Sequence, residues 1–164
     1  MNYRECANLL KQHDVFLLLT HKNPDGDTVC SAAALCSALR RAGKTVGLAT
    51  SKPQNLAEML LERAGLLDCF DVIAGSDPKL NNNAKWEVIT RAMDGCGAAP
   101  ENTVLIGDTK YDVAGAKRCG IPCVGVRWGY AAEGEMEEAG VAAMVDTPEE
   151  LLQLLCGEAA CPAE

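Results

Sequence analysis

Short apolar runs recur along this chain, most of them leading through Gly, Asp, Thr or Ser into a helix-forming stretch. Val15–Thr20, Thr45–Ala49, Asp71–Ala74, Thr103–Ile106, Cys123–Val126 and Ala142–Val145 have the length of strands. The first is nearly continuous in apolar residues, as expected of a strand covered on both faces. Between the runs lie helical patterns: Asn2–Gln12, Thr28–Arg41 closed by Gly43, a helix carrying Pro53 in its first turn and running to Gly65, Ala84–Met93, and Val113–Arg118 closed by Gly120. Thr147 is placed to cap a last helix through Leu155, with Glu150 three residues on completing a capping box. Strand–helix alternation predicts an α/β fold, a doubly wound, Rossmann-like parallel sheet. One domain is expected over residues 1–157, with 158–164 as a flexible tail.

In such sheets ligands bind at the carboxyl ends of the strands. Composition limits what those ligands are. Apolar residues make up 48% of the 164, enough for a buried core, and the formal charge is −8. An acidic surface disfavours nucleic acid and anionic membranes, yet a local site can still hold phosphate through Lys, backbone N–H groups or a metal. No run approaches the ~20 apolar residues of a membrane span, and the N-terminus lacks a signal-peptide pattern, so a cytoplasmic location is expected. The nine cysteines are odd in number and form no CxxC pair, which favours reduced, mostly buried thiols over a zinc site.

Three strand ends carry chemistry. In Gly107-Asp108-Thr109-Lys110-Tyr111-Asp112 an apolar strand delivers two carboxylates four residues apart. Converging acids suit a hard cation such as Mg²⁺. A turn Asp followed by a helix-capping Asp explains the same spacing. Thr50-Ser51-Lys52-Pro53 offers hydroxyls before a helix N-terminus, an anion cradle or ordinary capping. Lys85, near a helix start, opposes the helix dipole. That cost is offset if its ammonium faces carboxylates and a phosphate; otherwise it is a solvated surface Lys.

In this order the three elements resemble the second, third and fourth motifs of the haloacid dehalogenase (HAD) superfamily. Ala49-Thr50-Ser51-Lys52-Pro53, Phe70 to Ser76, Val104 to Asp112 and Gly125-Val126-Arg127-Trp128-Gly129-Tyr130 look like its phosphoglycolate phosphatase and 5′-nucleotidase branch. The resemblance implies that Thr50 binds the transferring phosphoryl group, with Ser51 beside it. It further implies that Lys85 neutralises that group, that Asp108 holds Mg²⁺, and that Asp112 supports the metal site. The family's opening Asp-x-Asp-Gly-Thr motif, which supplies the nucleophile, and its helical cap have no counterpart in these residues.

The first 46 residues resemble a different family. Leu17-Leu18-Leu19-Thr20-His21-Lys22-Asn23-Pro24-Asp25-Gly26-Asp27-Thr28 is similar to the opening of DHH-family phosphoesterases, in which the residues matching His21, Asp25 and Asp27 bind Mn²⁺. The later acidic and Asp-His-His ligands of that family are not found. The chain therefore reads as a DHH-like β–α segment, 1–46, joined to a HAD-like core, 47–157. The Val15–Thr20 strand is expected in the central slot where the HAD nucleophile strand belongs. Asp25 or Asp27 would then approach Asp108, completing an acidic metal site, with Asp25 as a displaced nucleophile.

The expected function is a HAD-type phosphatase acting on a small phosphorylated metabolite, of phosphoglycolate or nucleotide monophosphate type, impaired or inactive without its usual nucleophile. One alternative is a non-catalytic metal- and phosphate-binding or interaction remnant of a gene fusion. Another is a DHH-type phosphoesterase or oligoribonuclease. An open, capless site would also leave apolar surface suited to a homodimer.

Overall fold

Six parallel strands form one sheet in a computed structural model that describes residues 15–18, 35–37, 39–41, 43–77, 79 and 84–156. They are β1 (Val15–Leu18), β2 (Thr45–Pro53), β3 (Val72–Ser76), β4 (Thr103–Gly107), β5 (Cys123–Val126) and β6 (Ala143–Val145), and they lie in the order β3-β2-β1-β4-β5-β6. The helices are α1 (Gln54–Arg63), α2 (Lys85–Cys96), α3 (Lys110–Cys119), α4 (Glu135–Glu138) and α5 (Pro148–Cys156). Helical backbone at 35–37 and 39–41 precedes β2. The fold class is therefore the expected one. Asn2–Gln12, most of Thr28–Arg41 and the tail lie outside the described residues.

Alternation within each strand explains the two-sided core. Val46 and Leu48, Val104 and Ile106, and Val124 and Val126 join one apolar cluster with Leu35, Leu39, Phe70, Leu151 and Leu154. Ala49, Leu105 and Cys123 point to the opposite cluster, with Val88, Ile89, Ala92, Met93, Val113 and Ala116 from α2 and α3. All five β4 residues are buried. A strand sandwiched this way gains roughly 25 cal/mol per Å² of apolar surface removed from water on both faces. Gly120 closes α3 in the left-handed region at φ 73°, as read from the sequence, while α2 runs past the expected Met93 to Cys96 and is closed by Gly97 at φ 61°.

Two further local expectations need correction. β2 does not stop at Ala49 but continues to Pro53, which precedes rather than enters α1. The pairing with β3 shifts register between Ala49 and Pro53, so an irregularity carries the strand past the Thr-Ser pair. At α5 the Glu150 backbone N–H donates to Thr147 Oγ1 at 3.2 Å, as expected, but the Glu150 carboxylate accepts from the Asp146 N–H, not from that of Thr147.

The connectivity sets the position of a site. From β1 the chain winds through β2 to β3, then returns to place β4 on the other flank of β1. Strand order reverses there, and the crevice beyond such a switch point is where open α/β sheets receive ligands. β1 does occupy the central slot.

Candidate active site

Leu18 of β1 pairs in register with Leu48 of β2 and with Ile106 of β4. Thr50 and Asp108 each lie two residues further, so they stand level on the two sides of the β1 end. Two strand spacings put them about 10 Å apart, a gap able to receive a phosphate-sized group. Thr50 is 2% exposed and Asp108 7%. Thr50 Oγ1 accepts a hydrogen bond from the Lys52 N–H at 3.3 Å. Ser51, next along the strand, is exposed.

Asp112 organises the β4 end. Its Oδ2 accepts from the Asp108 N–H at 3.0 Å, the Thr109 N–H at 3.0 Å and the Thr109 hydroxyl at 2.9 Å. These donors belong to Asp108 and to Thr109, the N-cap of α3, where backbone N–H groups have no helical partner. Its Oδ1, buried and without another hydrogen-bond partner, faces Lys85 Nζ at 2.7 Å. Both oxygens of Asp112 are thus committed within the protein, so its geometry is that of a brace. Lys85 opens α2, where the dipole disfavours it, and the contact with a carboxylate 2% exposed offsets that cost. Gly115 of α3 makes the approach feasible, because a Cβ there would stand 3.0 Å from Lys85 Cγ.

A second loop closes on Asp108. The Tyr130 N–H donates to Asp108 Oδ2 at 3.3 Å, and the Ala131 N–H donates to the Asp108 carbonyl at 3.0 Å. Gly129 lies against the carboxylate, since a Cβ at that residue would be 2.2 Å from Asp108 Cβ. Gly107 likewise would place a Cβ 2.5 Å from that of Asp112. In the sequence Gly129 belongs to the Gly125–Tyr130 segment of the family resemblance, and nothing local shows that it packs on an acid 21 residues earlier.

Burial first, and the Asp112 charge second, push the Asp108 carboxyl above its ordinary range; the Tyr130 N–H and Lys85 pull it partly back. Two buried carboxylates share one ammonium. An oxygen-preferring cation beside Asp108 would relieve that imbalance, so the donor chemistry fits Mg²⁺. The sign of the pH effect follows. A carboxyl raised by folding contributes stability that is full below its unfolded value, near 3.8, and that is lost as pH rises through the folded value. Asp108→Asn should therefore raise the metal-free melting temperature at pH 7. The gain should fade towards pH 4. A thermal melt showing no pH-dependent difference would contradict the imbalance.

Asp25 and Asp27, the expected partners of Asp108, and His21 lie outside the described residues. Among the described residues no group of three His, Cys, Asp or Glu side chains gathers as a metal site. Described cysteines Cys36, Cys69, Cys96, Cys119 and Cys123 are free thiols. Burial pushes Cys36 up to about 12 and Cys96 to about 11, so both are protonated at neutral pH and poor nucleophiles. No described helix is long and apolar enough to cross a membrane.

The family model for haloacid dehalogenase-like hydrolases matches residues 22–126. A plasmid-encoded phosphoglycolate phosphatase of Cupriavidus necator is 35% identical over 127 residues, covering 77% of this chain and 55% of that protein. A 5′-nucleotidase of Pseudomonas aeruginosa is 35% identical over 102 residues, covering 62% of this chain and 46% of its own. A solved structure described as a predicted phosphatase from Clostridium acetobutylicum superposes with a TM-score of 0.70 at 34% identity, over 73% of this chain and 56% of that one. The chain spans about half the length of the curated relatives it matches.

Proposed function

Because the chain belongs to the haloacid dehalogenase-like hydrolase family, we propose that it binds a small phosphate monoester, of phosphoglycolate or nucleoside monophosphate type, in the crevice between β2 and β4. The observation that carries this reading is the joined set at the strand ends: Lys85 held at 2.7 Å by buried Asp112, which also orders the Asp108 loop. Thr50 would donate its hydroxyl to a phosphoryl oxygen. The Lys85 ammonium would neutralise charge on that group, acting from a low-dielectric wall where such attraction is strong. Asp108 would hold Mg²⁺, which when bound supplies charge neutralisation for the phosphoryl oxygens. Asp112 fixes Lys85 and the Asp108 loop without touching the ligand.

Turnover is expected to be slow. At the tip of the β1 run the sequence has Thr20-His21 in place of the family's Asp nucleophile. Even where a positioned nucleophile is one part of a triad, its loss leaves only ~10³–10⁴ over water. Phosphate monoesters need acceleration approaching ~10²¹. The chain is therefore proposed as a phosphate-binding HAD domain with slow or no hydrolysis, and Asp25 as the carboxylate able to restore some. Purified protein with Mg²⁺ should bind inorganic phosphate measurably by calorimetry, with binding lost in Lys85→Met. Release of phosphate from an aryl phosphate should be slow and abolished by Asp25→Asn. Absence of phosphate binding at millimolar concentration would overturn the reading; rapid hydrolysis that Asp25→Asn leaves intact would overturn the part given to Asp25.

A further inference from the structure

Beyond the crevice, the β6 edge of the sheet carries a second hollow. The ends of β5 and β6, α4 and the loop before it leave a cavity of about 560 Å³. That volume lies within the ~300–1,000 Å³ of small-molecule sites. Its apolar lining includes Val126 of β5, Met136 of α4 and Met144 of β6. The two thioether side chains converge on Gly125, where a Cβ would stand 2.3 Å from Met144 Sδ and 2.9 Å from Met136 Cε. Methionine is unbranched and polarisable, so it moulds to occupants of varied shape. Ala131 and Ala132 add only methyl groups to the lining, which keeps the space open. Arg127 and Ala131 both line the cavity, and they are the two ends of the loop whose Tyr130 and Ala131 N–H groups bond to Asp108.

Charge selects the class of occupant. Among the described residues Arg127 is the one basic side chain in the lining, and Glu137 at 2.8 Å and Asp146 at 2.9 Å both engage it. Its charge is thus already matched within the protein, which disfavours an anion. Glu133 also lines the cavity and is exposed. Among the described residues no hydrogen bond or ion pair engages its carboxylate. Three carboxylates therefore stand against one guanidinium at this hollow. We propose that the cavity binds a small organic cation, a protonated amine on an apolar body, with the ammonium at Glu133 and the body on Met136 and Met144. The apolar part gains by leaving water. The ammonium gains from a carboxylate at the lip of an apolar hollow, where attraction is screened less than in bulk water. This site stands without the phosphate reading above.

Calorimetric titration of the full chain with phenethylamine, phenylacetate and methylammonium at neutral pH, without phosphate or Mg²⁺, tests this. The second probe keeps the ring and reverses the charge; the third keeps the charge and drops the ring. Phenethylamine should bind about tenfold or more tighter than either, since it alone satisfies both parts of the site. Glu133→Gln should weaken it about threefold, in the range of a partly exposed ion pair. Glu101→Gln removes an exposed acid just before β4 and should leave the affinity unchanged. Phenylacetate binding as well as phenethylamine would overturn the charge assignment, and methylammonium binding as well would overturn the part given to the methionines. Equal weakening by the two Glu variants would show diffuse attraction to a chain of formal charge −8 and overturn the site. So would the absence of phenethylamine binding at millimolar concentration.

Discussion

Asp112→Ala should lower the unfolding free energy by about 4 kcal/mol, a large part of the 5–15 kcal/mol typical of a domain. The substitution strips one acceptor from two backbone N–H groups and a hydroxyl, all three bonded to Oδ2 at 2.9–3.0 Å. Buried donors left without partners cost ~1–3 kcal/mol each. It also leaves the Lys85 ammonium, 20% exposed, without the carboxylate that holds it at 2.7 Å. Breaking a buried pair by removing one partner costs ~3–5 kcal/mol. These contributions overlap, because relaxation of the loop re-solvates several groups at once, so they do not add in full. Asp112→Asn keeps one acceptor oxygen and should lose about half as much. Urea denaturation of the metal-free protein measures both. A loss below ~1 kcal/mol for the Ala variant would show that the brace is not under the stated constraint.

The second large effect concerns a residue without a side chain. Gly129→Ala places a methyl 2.2 Å from Asp108 Cβ and 2.9 Å from its Oδ2. Asp108 is anchored at the end of a strand buried along its whole length, so it has nowhere to retreat. The 127–131 loop must lift instead, at the expense of the Tyr130 and Ala131 hydrogen bonds to Asp108. Overpacking of this kind costs ~1–3 kcal/mol, and the lost hydrogen bonds bring the expected total to about 3 kcal/mol. Phosphate affinity should fall at least tenfold as the crevice opens. Gly125→Ala gives the internal comparison. Its methyl would meet Met144 Sδ and Met136 Cε and Sδ, the far ends of flexible side chains, so a cost of ~1 kcal/mol is expected. Equal destabilisation by the two variants would refute the assignment of Gly129 as a contact of the site.

Much of the architecture was legible in the chain because it is local. Val104-Leu105-Ile106 announces an apolar strand, and it is one, packed on both faces of the sheet. Gly120 closes α3 from the left-handed region, as a C-terminal glycine should. The β2 boundary slipped because pairing overrode a local signal. Thr50 to Pro53 have the composition of a helix entrance, yet pairing with β3 extends the strand through them with a register shift.

The residue types of the site were readable for the same reason: Asp108 and Asp112 stand four apart at the end of an apolar strand, and a helix start there brings their atoms together through backbone geometry alone. What the chain by itself left open is which of two roles each acid takes, since a cation pair and a capping brace share one spacing. Tertiary packing adds the partners: Asp112 takes Lys85, and Asp108 takes the Tyr130 N–H. Lys85 reaches Asp112 only because α2 packs on α3 at Gly115, and Gly129 reaches Asp108 only because β5 lies beside β4. Sequence determines contacts within a turn of helix or a stretch of strand, where a few dihedral angles set the distance. Contacts across 20 or more residues depend on strand order and register, which the collective burial of both sheet faces selects and no single segment encodes.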